Sequence, residues 1–219
     1  MLKIVVFDSG MGGELFADRL EQELSVIEII RVIDWRSARE ILKSSRGARR
    51  AAERALEPYF GKVDLIIFAN YLLATTSLNY FKRKYPEQKF IGFTLIPRRI
   101  ALERPTLIIT TKATARSLSY AIGIRRVRAR TICLDTWPLL IDDGNITSDG
   151  VNRDLKTALI GMRRFSPEQV MLACGQFTEL TPEFRRYFGH NVRIVDSFDQ
   201  TIKDVCRVLN LKTSTRKSR

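Results

Sequence analysis

A carboxylate and a hydroxyl stand side by side where an apolar run meets a glycine turn near the start of the chain. The run from Lys3 to Phe7 is followed by Asp8 and Ser9, and then by three glycines within four residues. A short apolar run predicts a buried strand of a parallel sheet. Ligands of open α/β sheets bind beyond the carboxyl ends of the strands, so Asp8 and Ser9 are candidate site residues. Asp8 also suits a plain structural role as the cap of the following helix.

A second polar residue with the same placement is Asn70, which closes the apolar run that begins at Asp64. Helical spacing of apolar residues separates these runs, so the first half of the chain predicts alternating strands and helices in a parallel sheet. Asp8, Asp34 and Asn70 would then line one edge of that sheet, although Asn70 also suits hydrogen bonding to loop backbone. The strands predicted in this half span residues 3–7, 27–33, 64–70 and 90–96.

The second predicted helix is rich in arginine. Ser37 and Glu40 have the spacing of a capping box, which predicts that this helix begins at Ser37 and ends before Pro58. Its arginines are most simply the solvated face. The apolar residues expected to face inward are Ile41, Leu42, Ala48, Ala52, Ala55 and Leu56.

The same alternation restarts after Pro105, with no low-complexity linker. Two successive sets predict an α/β fold of two pseudo-symmetric lobes, each a parallel sheet flanked by helices, with the site in the cleft between them. We expect an N-terminal lobe of residues 1–96 plus about 196–211, a C-terminal lobe of 97–195, and a basic disordered tail at 212–219. The later elements predicted are strands 106–110, 127–133, 169–173 and 192–195 and helices from 114, at 149–164 and at 197–209.

The composition excludes several classes of protein. The 219 residues are 45% hydrophobic and 28% charged, which is typical of a globular protein, and no apolar run is long enough to span a membrane. Because no signal peptide precedes Asp8, we expect a cytoplasmic location. Three widely spaced cysteines without a CxxC motif indicate neither a disulfide framework nor a metal site. The single histidine, His190, lies in a turn-like context.

The net charge of +13 and the isoelectric point near 10 bear on the choice of partner. Basic residues are dense in residues 125–130, which read as a half-exposed edge strand, and in the tail at 212–219. Neither stretch contains a known nucleic-acid-reading motif, so nucleic acid is the weaker of the partner hypotheses.

Several segments resemble the glutamate racemases, cofactor-independent enzymes of the aspartate/glutamate racemase superfamily. Residues 8–13, Asp-Ser-Gly-Met-Gly-Gly, resemble the Asp-Ser-Gly-x-Gly-Gly opening of that family. Residues 110–120 resemble its Gly-Thr-x-Ala-Thr-x-x-Ser-x-x-Tyr segment without the first glycine, and Val195-Asp196-Ser197 resembles its late Ile-Asp-Ser. Cys133, with Pro138-Leu139 beyond it, is similar to the Ala-Cys-Pro-Leu-x-x-Pro-Leu stretch of that family. The resemblance implies the two-lobe fold and proton transfer at the α-carbon of a small acidic amino acid or carboxylic acid, without a cofactor or a metal.

The catalytic motifs of the family contain two cysteines, because a racemase needs one acid/base group on each face of the α-carbon. A thiol can serve both as acid and as base near neutral pH. The family reads Ala-Cys-Asn-Thr and Gly-Cys-Thr-His, whereas this chain reads Phe-Ala-Asn-Tyr at 68–71 and Ala-Cys-Gly-Gln at 173–176. The resemblance therefore puts Ala69 at the first cysteine and Gln176 at the histidine. It implies Cys174 and Asp8 as catalytic residues and Ser9, Asn70, Thr114 and Gln176 as substrate-binding residues.

Three functional hypotheses follow. The first is an enzyme with one thiol, since a lone cysteine can protonate a carbanion or enolate from one face, as in the single-cysteine decarboxylases of this superfamily. The second is a non-catalytic ligand-binding protein, in which Cys174 is a small buried apolar residue. The third is a nucleic-acid or partner-binding protein, and a homodimer stays open for each. Tyr71 bears on the first two, since its ring would fill the expected pocket if it points inward.

Overall fold

The computed structural model describes residues 1–93, 104–117, 128–160 and 165–211. Its strands form two four-stranded sheets, in which every neighbouring pair is parallel. The strand order is β2-β1-β3-β4 in one sheet and β6-β5-β7-β8 in the other, and the predicted α/β class with two parallel sheets is confirmed. The strands are β1 (Leu2–Asp8), β2 (Ile27–Ile33), β3 (Leu65–Phe68), β4 (Phe90–Gly92), β5 (Thr106–Thr110), β6 (Ala129–Cys133), β7 (Gln169–Leu172) and β8 (Arg193–Val195).

Helices follow most of the strands. Two of them, Trp137–Asp142 and Thr181–Phe188, were not predicted from the sequence. The helices are α1 (Met11–Glu23), α2 (Ala38–Lys43), α3 (Ser45–Leu56), α4 (Tyr71–Lys84), α5 (Lys112–Ala115), α6 (Trp137–Asp142), α7 (Ser148–Leu159), α8 (Thr181–Phe188) and α9 (Phe198–Val208).

The chain folds into two compact units. Unit 1 comprises Met1–Thr94 and Phe198–Arg219, and unit 2 comprises Leu95–Ser197. In unit 1, α3 and α4 cover one face of the sheet, where Phe68 and Phe81 pack edge to face at 5.2 Å. In unit 2, Trp137 packs against Phe177 at 5.8 Å. Each sheet is therefore anchored by its own aromatic core.

The prediction of one helix from Ser37 to Pro58 was wrong, and so was the capping box. Asp34 accepts hydrogen bonds from the backbone N–H and the hydroxyl of Ser37, and the side chain of Ser37 makes no capping hydrogen bond to the helix that follows. The chain turns through a 3₁₀ helix (Trp35–Ser37), α2 follows, and at Ser44 the backbone becomes extended before α3 begins. Ser44 caps α3 by accepting from the N–H of Gly47 at 3.0 Å. Leu42, expected to face inward, is 62% exposed.

The strand predictions at 27–33 and 106–110 are confirmed residue for residue. The predicted strand at 127–133 begins at Ala129 and lies at the edge of its sheet, as expected from its alternating pattern. Predictions for residues 94–96, 125–127, 161–164 and the tail at 212–219 lie outside the described residues. Within the described part of the chain, no helix has the length and apolar character that crossing a membrane requires.

Candidate functional site

In unit 1 the adjacent strands β1 and β3 bring Asp8 and Asn70 together at their carboxyl ends. Asp8 is only 3% exposed, and its Oδ1 accepts from the N–H of Ser9 at 2.6 Å and from Nδ2 of Asn70 at 2.7 Å. The oxygen of the same Asn70 amide accepts from the N–H of Leu73 at 3.0 Å and so caps α4. Asn70 thus caps a helix, whereas the sequence had suggested that cap for Asp8 and loop hydrogen bonding for Asn70, and its amide also holds the carboxylate.

Gly13 allows α1 to start close against this carboxylate. A Cβ at this position would lie 2.4 Å from Cβ of Asp8 and 2.9 Å from Cδ1 of Ile33, both closer than van der Waals contact permits. Only glycine fits there, so the glycine turn sets the position of Asp8 at the edge of the sheet.

Tyr71 points inward. Its side chain is 4% exposed, and its ring meets that of Phe93 edge to face at 5.3 Å. Phe93 in turn packs against Phe16 at 5.1 Å and Phe198 at 5.5 Å. The residue that follows Asn70 therefore belongs to an aromatic cluster of unit 1.

In unit 2 the corresponding edge is lined by hydroxyl groups. Thr110, at the end of β5, donates to the carbonyl of Ala173 at 3.0 Å and joins β5 to the end of β7. Thr111 caps α5, and its hydroxyl donates to that of the buried Thr114 at 3.3 Å. These hydroxyls satisfy backbone groups and one another, which fixes the shape of the edge on which Cys174 lies.

Cys174 follows β7 and is the N-cap of a 3₁₀ helix that spans Gly175–Leu180. Its side chain is half-buried, and its thiol donates to Oε1 of Gln176 at 3.1 Å. Two of the three residues that the sequence nominated in this unit are therefore in direct contact. In the other half-buried cysteine, Cys133, burial and then the charge of Asp135 raise the thiol pKa.

Asp142, at the end of α6, is a site residue that sequence reasoning missed. Burial raises the pKa of its carboxyl above the ordinary value, and the nearby amide of Gln176 offsets this in part. Its Oδ1 is buried without a hydrogen-bond partner among the described residues. Asp142 therefore lies near Gln176, which in turn accepts from the thiol of Cys174. No local motif could have revealed it, because the contact joins distant segments.

The two sheets connect their strands in the same order, so equivalent residues of the two units can be identified from the backbone hydrogen bonds between strands. The N–H of Ala69 donates to the carbonyl of Phe7, and the N–H of Ala173 donates to that of Ile109, the equivalent residue of the first strand. Ala69 therefore matches Ala173, and the next residues, Asn70 and Cys174, match each other. The motif comparison put the absent cysteine at Ala69, whereas backbone register puts the counterpart of Cys174 at Asn70.

Asp8, Ser9 and Asn70 are thus brought together in unit 1, and Cys174 and Gln176 in unit 2, where Thr114 follows the neighbouring strand β5. Among the described residues, no group of three His, Cys, Asp or Glu side chains could hold a metal ion. The arrangement offers carboxyl, thiol and amide groups for binding and proton transfer.

Comparison with known proteins finds sequence relatives and similar folds among the racemases. No family model matches. The chain is 22% identical over 215 residues to a glutamate racemase of Bacillus cereus, covering 94% of the chain and 80% of the relative. Its fold is similar to that of glutamate racemase from Francisella tularensis in complex with D-glutamate (TM-score 0.83, 19% identity, 98% and 84% of the two chains). It is also similar to Picrophilus torridus aspartate racemase (TM-score 0.62, 13% identity, 97% and 95%).

Proposed function

Because this chain is a homologue of the glutamate racemases of the aspartate/glutamate racemase superfamily, we propose that it transfers protons at the α-carbon of a small acidic amino acid or carboxylic acid. The reaction proceeds without a cofactor and with one thiol, Cys174. Asp8 is the other proposed catalytic residue and holds the amide of Asn70 without exchanging the α-proton itself, and Ser9, Asn70, Thr114 and Gln176 provide donors for the carboxylates of the ligand. A cytoplasmic location and a homodimer stay predictions from the sequence.

The contact between Cys174 and Gln176 is the observation that carries this proposal. The thiol lies at the carboxyl end of a central strand, where ligands of parallel sheets bind, and its partner is a neutral amide oxygen. When the thiolate takes the α-proton, the carbon becomes a carbanion stabilised by the adjacent carboxyl group, and the same sulfur can return a proton to it. One thiol acts on one face, so the expected product is labelled by solvent but not inverted.

Deuterium exchange tests this proposal. We expect the full chain in deuterated water to replace the α-proton of one enantiomer of glutamate or aspartate, measured by mass spectrometry and NMR. Cys174→Ser should slow the exchange by about 100-fold or more, since a positioned acid/base group contributes that much. Cys133→Ser is the matched control, because Cys133 is also half-buried and in the same unit. Exchange that survives Cys174→Ser, or no exchange by the parent, contradicts the proposal.

A ligand-binding protein without turnover is the second candidate. The observation that favours it is Asn70, whose amide cannot act as acid or base and yet matches Cys174 in register. Ligand present at 100 times its Kd should stabilise the fold by about 2.7 kcal/mol. Thermal unfolding with each acidic amino acid therefore separates the candidates, since stabilisation without deuterium exchange indicates binding alone.

A further inference from the structure

A strongly basic surface of unit 1 begins directly after Asp34, whose N–H donates to the carbonyl of Asp8 at 2.9 Å. Residues 35–56 contain seven arginines and lysines and two glutamates. The inner side of this segment is buried, whereas its outer side is exposed. We call this outer side the basic face and define it by Trp35, Arg36, Arg39, Leu42, Lys43 and Arg46.

Intramolecular pairing accounts for the neighbouring arginines but not for the basic face. Arg50 and Arg54 pair with Glu40 at 3.6 and 3.0 Å. Arg49 donates to the carbonyl of Thr76 at 2.9 Å and lies over a tyrosine ring. By contrast, none of the four cations of the basic face forms an ion pair with any residue that the structure describes. Four like charges so close together repel one another, and an anionic partner would relieve that repulsion.

Two apolar side chains interrupt the cations. Trp35 is 49% exposed and Leu42 is 62% exposed. The 3₁₀ helix runs directly into α2, so Trp35 and the exposed Arg36 and Arg39 belong to one short segment. An exposed aromatic ring is thus available among the cations.

We propose that the basic face binds single-stranded nucleic acid, with the cations on the phosphates and Trp35 stacked on a base. Proteins that bind single strands combine a cationic track with aromatic stacking, and three of the four cations here are arginines, whose planar fork fits phosphate. A membrane surface is the less suitable partner, because a membrane-bound helix needs a free apolar face. The inward apolar residues of both helices, Ile41 of α2 and Ala48 and Ala52 of α3, are buried in the core of unit 1.

Fluorescence anisotropy with a labelled oligonucleotide of about 12 nucleotides tests the proposal on the full chain. The test variant is Arg39→Ser/Lys43→Ser/Arg46→Ser. Loss of three phosphate contacts should flatten the slope of log K against log salt by about 2, measured between about 50 and 200 mM salt. Trp35→Ala should weaken binding by about 5- to 150-fold, the range of base stacking, whereas Leu42→Ala should leave it unchanged.

Two matched variants remove the same charge elsewhere. Arg153→Ser/Lys156→Ser/Arg185→Ser neutralises exposed residues of unit 2, and Arg216→Ser/Lys217→Ser/Arg219→Ser neutralises the tail. Both should keep most of the salt slope. Equal weakening by either control would show that net charge or the tail is responsible, and the proposal would fail.

No binding of the parent at about 50 mM salt also overturns the proposal, as does capture by phosphatidylserine vesicles with no binding of the oligonucleotide. Circular dichroism checks that each variant is folded. None of the residues substituted in the three charge variants belongs to the proposed catalytic or substrate-binding residues, so deuterium exchange should be unchanged in those variants. Failure of this inference is therefore distinguishable from failure of the proposed enzymatic function.

Discussion

Asn70 joins the start of α4 to the carboxylate of Asp8, from which its Nδ2 is 2.7 Å away. The oxygen of the same amide caps the helix at the N–H of Leu73. One side chain therefore sets both the direction in which α4 leaves the sheet and the orientation of a carboxylate that is almost fully buried. Any change at Asn70 should disturb both features together.

Asn70→Ala should cost more stability than the loss of a helix cap alone. A cap contributes about 1 kcal/mol and a hydrogen bond to a carboxylate about 1.5–3 kcal/mol, so we expect about 2–4 kcal/mol in urea unfolding. Ser44→Ala is the matched control, because Ser44 caps α3 but has no such carboxylate partner, and it should cost about 1 kcal/mol. Equal costs for the two variants would show that the contact with Asp8 adds no stability.

Gly13→Ala should destabilise the protein by about 1–3 kcal/mol, the usual cost of forcing an extra group into a packed site. The new Cβ would lie 2.4 Å from that of Asp8, so α1 or β1 must shift. The control is Gly150→Ala, also at the start of a helix, where the nearest atom is the hydroxyl oxygen of Thr147 at 3.1 Å. A urea midpoint of Gly13→Ala that equals the parent's would mean that the backbone adjusts freely.

Buried strands were predictable from the sequence because short continuous apolar runs such as Leu65–Phe68, bounded by polar and turn residues, favour a buried strand. The second helix was predicted wrongly. The hydroxyl of Ser37 donates to the carboxylate of Asp34, whereas Ser44 caps the later helix α3, and a local pattern cannot show which of the two serines is the cap. Asp142 was missed for a related reason, since its contact with Gln176 depends on how α6 packs. Local chemistry was therefore readable from the sequence, and long-range pairing was not.

Asp142 should make stability depend on pH. Burial raises the pKa of this carboxyl above its unfolded value of about 3.9, so the folded chain holds the proton more tightly. Its contribution to stability is then present below the unfolded pKa and is lost as the pH rises through the folded pKa. Asp142→Asn mimics the protonated form, so it should match the parent near pH 4 and be more stable near pH 7.

Urea unfolding at several pH values between about 4 and 7 measures this difference. Glu179→Gln provides the control, because it removes one negative charge from an exposed residue of the same unit, whereas the charge of Asp143 itself raises the pKa of Asp142. If Asp142→Asn is less stable than the parent at neutral pH, the ionised carboxylate has a stabilising partner and the interpretation of its burial is wrong.

Asn70→Cys should turn exchange on one face into racemisation. Backbone register matches Asn70 to Cys174. A thiol at position 70 would therefore occupy in unit 1 the position that Cys174 occupies in unit 2. Ala69→Cys should not racemise, because Ala69 is 1% exposed and its side chain points into the protein. Asn70→Ser is the matched control, since a serine can still cap α4 but is a far weaker acid than a thiol.

The measurement is the ratio of D- to L-glutamate over time, by chiral chromatography, starting from each enantiomer. The sequence predicts that Asp8 and Cys174 belong to one site. Inversion needs one acid/base group on each face of the α-carbon. Inversion by Asn70→Cys that disappears when Cys174→Ser is added would therefore support that prediction. Racemisation by Ala69→Cys and not by Asn70→Cys would instead favour the motif comparison over the register. Successive side chains of a strand point to opposite faces, so thiols at positions 69 and 70 would face opposite sides. The two variants therefore decide between the motif comparison and the register.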